Sequence, residues 1–173
     1  MKQSFILPTL LCILFTSCDT DIEKKLVKPT SEVPAPLLKS EGFTNIIINE
    51  TNINLFPIVL NWTKSDFGED IIVEYSLEMA ENASFTKSLT VTVGNNTYSK
   101  AISSADLNKW VINNFNGLDA NGLPLKVNLL MRISATIALE NPTVTIPPDK
   151  VFSNTISLTV VPYSIVTTAS LPL

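Results

Sequence analysis

The sequence contains no histidine. That removes the commonest general base and the commonest metal ligand together. Cysteine occurs only at Cys12 and Cys18, so the long C-terminal part of the chain has neither a thiol nucleophile nor a disulfide framework. Its stability has to come from packing. Charge is sparse: 12 Lys and Arg stand against 16 Asp and Glu, a net charge of −4. No basic stripe is present, which argues against nucleic acid as a partner. Asp and Glu could pair for glycoside hydrolysis, but no pattern sets out such a pair. Asp66 and Asp70 flank a turn at Gly68, where capping and solvation account for them. Calcium would need more oxygen ligands at close spacing than this stretch offers. The expectation is a protein that is not an enzyme and uses no metal and no cofactor.

What is present is concentrated first at the N-terminus. Lys2 precedes an apolar run from Phe5 to Phe15, which is too short for a permanent membrane span. Thr16-Ser17-Cys18 follows, with small side chains just ahead of the Cys. Asp19, Asp21 and Glu23 then switch the polarity at once. This order resembles a bacterial lipoprotein signal, with residues 1–17 removed and Cys18 as the lipid attachment. Phe15 departs from the commoner Leu of that pattern. The plainer readings are an ordinary secretory signal with an incidental Cys, or a core helix, though the positive, apolar, small-residue order fits the latter poorly. On the lipoprotein reading Cys12 leaves with the signal and the acyl chains supply the membrane affinity, at about 0.8 kcal/mol per buried methylene. Later apolar stretches are short or interrupted and could not anchor the chain. The acidic cluster after Cys18 looks like that of surface-exposed lipoproteins, which points to the outer face of the outer membrane.

Residues 18–36 are polar and punctuated by Pro29, Pro34 and Pro36, and read as a flexible tether. Beyond it the dominant period is two. Strands are expected over 46–48, 56–62, 71–79, 88–93, 97–102, 125–138 and 154–161. In the second, Phe56, Ile58, Leu60 and Trp62 share a face. In the third, Ile71, Val73, Tyr75, Leu77 and Met79 share one face, while Glu74, Ser76 and Glu78 share a wet one. One helix interrupts the strands. Ser103 with Asp106 three residues later makes a start like a capping box, Leu107, Trp110, Val111 and Phe115 recur at helical spacing, and Asn116-Gly117 stops it. A long loop carrying Pro142, Pro147 and Pro148 precedes the last strand. About seven short strands with turn signals between them predict an all-β fold. It is an antiparallel, two-sheet immunoglobulin/fibronectin-III-like sandwich over 37–163, with one short crossover helix as a lid and a tail over 164–173. Four Asn-x-Ser/Thr sequons, at Asn49, Asn61, Asn82 and Asn95, read as chance matches in an Asn/Thr-rich chain.

Three segments together carry a family resemblance: Leu60-Asn61-Trp62-Thr63-Lys64-Ser65-Asp66-Phe67-Gly68, Val73-Glu74-Tyr75-Ser76-Leu77-Glu78, and the stretch from Phe152 to Tyr163. Their order and spacing, with the signal-like N-terminus, resemble the N-terminal domain of the SusE-type outer-membrane lipoproteins of starch-utilisation systems. The resemblance implies polysaccharide capture (starch or maltooligosaccharide) at the cell surface, beside a TonB-dependent transporter and a glycan-binding lipoprotein. The family's carbohydrate-binding domains follow the segment corresponding to Val161-Pro162-Tyr163. Here Ser164 to Leu173 stand in their place, so a truncated product or a reduced protein that keeps the spacer domain is expected, and no starch-binding residue is carried over.

From the residues themselves, Trp110 is the carbohydrate-binding candidate, because a short helix near the surface could present its ring to a sugar. Leu107 and Val111 on the same helical side argue for packing. Trp62 is in phase with the core, and Tyr98 and Tyr163 near strand ends default to packing. Two functions are weighed: a spacer or docking module in polysaccharide capture, and a structural or adhesive sandwich subunit that adds strands to a partner's edge.

Overall fold

The computed structural model describes residues 27–138 and 149–164. Cys18, the signal-like segment, the proline loop at 142–148 and the tail from 165 onward lie outside them. Among the described residues the chain runs through a one-turn 3-10 helix (Thr30–Glu32), β1 (Leu38–Gly42), β2 (Asn45–Ile47), β3 (Ile58–Trp62), β4 (Val73–Ala80), β5 (Leu89–Asn95), β6 (Ser99–Ile102), α1 (Ser104–Asn114), β7 (Val127–Ile137), β8 (Val151–Phe152) and β9 (Ile156–Val161).

The strands form two sheets, ordered β1-β3-β6 and β2-β9-β7-β4-β5, with β8 added to β7. This is the all-β sandwich expected from the alternation. Val73, Tyr75, Leu77 and Met79 of β4 and Leu129, Met131 and Ile133 of β7 point inward and are fully buried, against Ile58, Leu60 and Trp62 of the smaller sheet. The hydroxyl of Tyr75 accepts the Ser65 N–H at 2.9 Å, which ties the β3–β4 loop to the core, and burial raises the pKa of this phenol.

Every pair is antiparallel except β2 with β9, which is parallel. The exception follows from a sheet switch. β1 pairs with β3, and the chain then continues in the same direction into β2 on the other sheet. The switch occurs at Gly42, which has φ 111°, and a Cβ there would stand 2.1 Å from the Pro57 carbonyl oxygen.

Three strand expectations are corrected. β1 was not foreseen: only Leu38 in it is buried, and the strand exists because β3 offers an edge and the Asn154 side chain clasps Leu38. In that clasp Asn154 Oδ1 accepts the Leu38 N–H at 2.8 Å and Nδ2 donates to the Leu38 carbonyl at 3.0 Å. β3 starts at Ile58, so Phe56 is 63% exposed instead of joining the inner face. The expected wet face of β4 is largely covered, with Ser76 and Glu78 both buried.

The helix has the expected start. Ser103 Oγ accepts the Asp106 N–H at 3.0 Å and donates to its carboxylate at 2.7 Å. It leads from β6 in one sheet to β7 in the other, as a crossover should.

The register fixes where the chain enters and leaves. Lys28 N–H donates to the Phe67 carbonyl at 2.8 Å, and Val33 is buried, so the segment expected as tether lies against the sandwich from Lys28 on. Phe67 belongs to the β3–β4 loop, and Val73 after it pairs with Ile137 at the end of β7. Near its end β9 sets Val160 beside Val127, at the start of β7. Entry and exit are therefore at opposite ends of the sandwich.

Candidate functional site

Cys18, the expected lipid attachment, lies outside the described residues. Trp110 sits on α1, half-buried and packed against the core beside the buried Leu107 and Val111. The ring is thus partly committed to packing, as its helical neighbours implied. Tyr163 is also half-buried, with its backbone N–H and carbonyl both held by the Asn108 side chain at 2.6 and 3.0 Å.

At the entry end, the β3–β4 and β5–β6 loops enclose an open, polar groove of about 410 Å3 lined by Lys64, Gly68, Asp70, Asn96 and Tyr98. Two left-handed residues shape it, Asp70 at φ 55° and Asn96 at φ 46°. Asn96 holds the start of β4 through its N–H to the Val73 carbonyl at 2.8 Å and its Oδ1 to the Val73 N–H at 3.2 Å. Tyr98 meets Tyr75 edge-on, with ring centroids 5.6 Å apart, and is partly open to solvent. Beside the groove Lys28 pairs with Asp66, whose carboxylate also accepts the Gly68 N–H at 3.1 Å. The hydrogen bond from Lys28, then that from Gly68, hold the Asp66 pKa below the usual carboxylate range. Capping and pairing thus account for Asp66. The groove presents hydrogen-bonding groups around one aromatic edge, suited to weak contact with a polar solute.

On the outer face of the larger sheet a charged cluster is closed over by aromatic rings. Glu78 of β4 stands opposite Arg132 of β7 in register. One Glu78 oxygen accepts Arg132 Nε at 2.9 Å and Nη2 at 2.8 Å, and the other accepts Lys150 Nζ at 3.2 Å. The guanidinium lies between the rings of Phe85 and Phe152, 4.0 and 3.8 Å from their centroids. Burial alone would raise the Glu78 pKa, but the hydrogen bonds from Arg132 and Lys150 outweigh it and the carboxyl is held below its ordinary value. A carboxylate with both oxygens engaged and a lowered pKa is a poor proton donor at neutral pH, so the cluster braces the sheet and offers no general acid. Sequence alternation placed Glu78 on an outer face and Arg132 within the strand over 125–138; the opposite charges were the available signal, but their register was not.

At the other end, a shallow apolar hollow of about 480 Å3 opens between the β1–β2 and β2–β3 connections. Phe43, Ile47, Leu55 and Phe56 line it, each more than half exposed. Among the described residues no group of three or more His, Cys, Asp or Glu side chains could hold a metal ion, and no helix is long and apolar enough to cross a membrane.

A family model described as SusE outer membrane protein matches residues 20–129, from just after Cys18 to the start of β7. No curated protein and no solved structure matches the chain.

Proposed function

We propose a spacer and docking role for this chain, which belongs to the SusE outer membrane protein family and has the outer membrane as its address. In this reading the protein is not an enzyme. Acyl chains at Cys18 hold it in the membrane, a short link follows, and the sandwich carries polysaccharide-capture partners at a fixed height. Those partners are a TonB-dependent transporter and a glycan-binding lipoprotein. The acidic residues after Cys18 support a position on the outer face.

The observation that carries the reading is the end-to-end path of the chain. It enters at Lys28 against the β3–β4 loop and leaves past Tyr163 at the far end. From Cys18 to Lys28 the chain can reach at most about 35 Å. The eleven residues of β7 add about 36 Å of rigid length. A domain threaded in this way sets a distance from the membrane, and tethering raises the local concentration of whatever it holds without tight intrinsic affinity.

The test joins two measurements on the full chain. Cys18→Ala should abolish acyl labelling and release the protein from the membrane fraction; unchanged retention would overturn the anchor. The released protein should run unretarded in starch and maltooligosaccharide affinity gels. Retardation that disappears in Trp110→Ala would replace the spacer with a direct glycan binder.

A further inference from the structure

Among the described residues the two strand paths end on four edge strands, besides the two-residue β8 on β7, and three of the four are guarded. β1 carries Lys39 and Glu41 and ends at the Gly42 switch. β6 is four residues long and contains Lys100. β2 has three residues, and the Asn52 side chain takes its Ile47 carbonyl at 2.8 Å. Charges, short length and side-chain caps are the devices that keep an edge from pairing with another chain.

β5 is different. It has seven residues, Leu-Thr-Val-Thr-Val-Gly-Asn, with no charge and no proline. Among the described residues its one strand partner is β4, so alternate backbone N–H and C=O groups on its other side point outward. Leu89 and Val91 lie half-buried on the core side, while Thr90 is exposed on the outer side. The register with β4 steps from Tyr75–Gly94 to Ser76–Thr92, leaving Val93 in a bulge and the stretch before it regular.

We propose that a second copy of this chain adds to the β5 edge, antiparallel, about a two-fold axis through Thr90. The sequence is self-complementary in that register. Leu89 falls opposite the second copy's Val91, Thr90 opposite Thr90, and Ser88 opposite Thr92. Apolar side chains meet on the inner side and hydroxyls on the outer, both favourable cross-strand pairs. Lys87 falls opposite the uncharged Val93, so no like charges are opposed. Edge pairing buries little area, so the dimer is weak in solution.

Sedimentation velocity on the purified full chain should show a dimer fraction that rises with concentration. Thr90→Lys sets two ammonium groups face to face and should weaken the dimer by roughly fivefold or more with the melting curve unchanged. Mixing Thr90→Lys with Thr90→Glu chains should restore it. In a Cys12→Ala, Cys18→Ala background, Thr90→Cys should form an interchain disulfide on mild oxidation, since directly opposed Cα atoms lie about 4.5–5.5 Å apart. Glu81→Cys in the β4–β5 turn should not. A chain that stays monomeric at every concentration overturns the proposal. So does a dimer indifferent to Thr90→Lys, or a monomer that takes up another protein's strand instead.

Discussion

Arg132→Met should be among the most damaging single changes on the outer face of the larger sheet, and its cost should depend on pH in a defined direction. Arg132 supplies two of the three cationic hydrogen bonds to Glu78, whose side chain is 5% exposed. Removing one partner of a buried ion pair costs about 3–5 kcal/mol, because the other charge is left buried and poorly compensated. Two features reduce that here. Lys150 remains at 3.2 Å, and Arg132 itself is 21% exposed. Met also keeps an apolar stem between Phe85 and Phe152, though the two cation–π contacts, about 0.5–1 kcal/mol each, are lost. The expected loss is about 2–3 kcal/mol at neutral pH, read from urea unfolding followed by circular dichroism.

The sign of the pH dependence follows from Glu78. In the parent its pKa is lowered, so it adds stability above the unfolded carboxyl pKa, and that contribution fades as pH falls through the lower folded value. Without Arg132, burial, already the largest single influence, is opposed by Lys150 alone and pushes the pKa up. The buried carboxylate then opposes folding at neutral pH and is relieved on protonation, so the deficit should shrink as pH falls from 7 toward 5. Glu78→Gln with Arg132→Met should be more stable at neutral pH than Arg132→Met alone. A single-variant cost below about 0.5 kcal/mol, or a double variant no better than the single, would refute the reasoning.

Gly42→Ala should destabilise by about 2 kcal/mol or more, because φ 111° is strained for an L residue and the new methyl would meet the Pro57 carbonyl at 2.1 Å. Thermal melting measures it, and an unchanged midpoint would show that the sheet switch can relax. Ser103→Ala removes the side chain that accepts the Asp106 N–H and should cost about 1 kcal/mol, while Ser103→Asn should recover most of it in the same assay.

The alternation in β4, β7 and β9 was legible because each has one face that must be buried, and a one-residue slip would turn it out. The helix was legible because its capping box and its stop are local chemistry. β1 was not, since Lys39, Ser40 and Glu41 carry no burial signal and the strand is made by β3 and Asn154, distant in sequence. Phe56 looked in phase with Ile58, Leu60 and Trp62, but the close approach of Gly42 at Pro57 marks the end of regular pairing. The Arg132 cluster escaped for the same reason: Glu78 and Lys150 reach it from distant parts of the chain. Trp110, the carbohydrate-binding candidate, lies half-buried against the core, as Leu107 and Val111 on the same helical side require. The polar groove was not foreseen, because it exists only where two loops meet.

The placement of the surfaces bears on how a spacer could also dock. The sheet order β2-β9-β7-β4-β5 puts the apolar hollow beside β2 and the bare edge of β5 at opposite margins. Four strand spacings, about 19 Å, separate them. Pairing through β5 therefore leaves both hollows of a dimer at its outer margins, open to other partners. The polar groove lies at the entry end, near Lys28, and on the tethered reading it faces the membrane. The exposed apolar residues of the hollow, Phe43, Ile47, Leu55 and Phe56, sit near the end where β9 finishes. On that same reading the β5 edge lies to the side and the hollow away from the membrane, as the proposed carrier of partners requires.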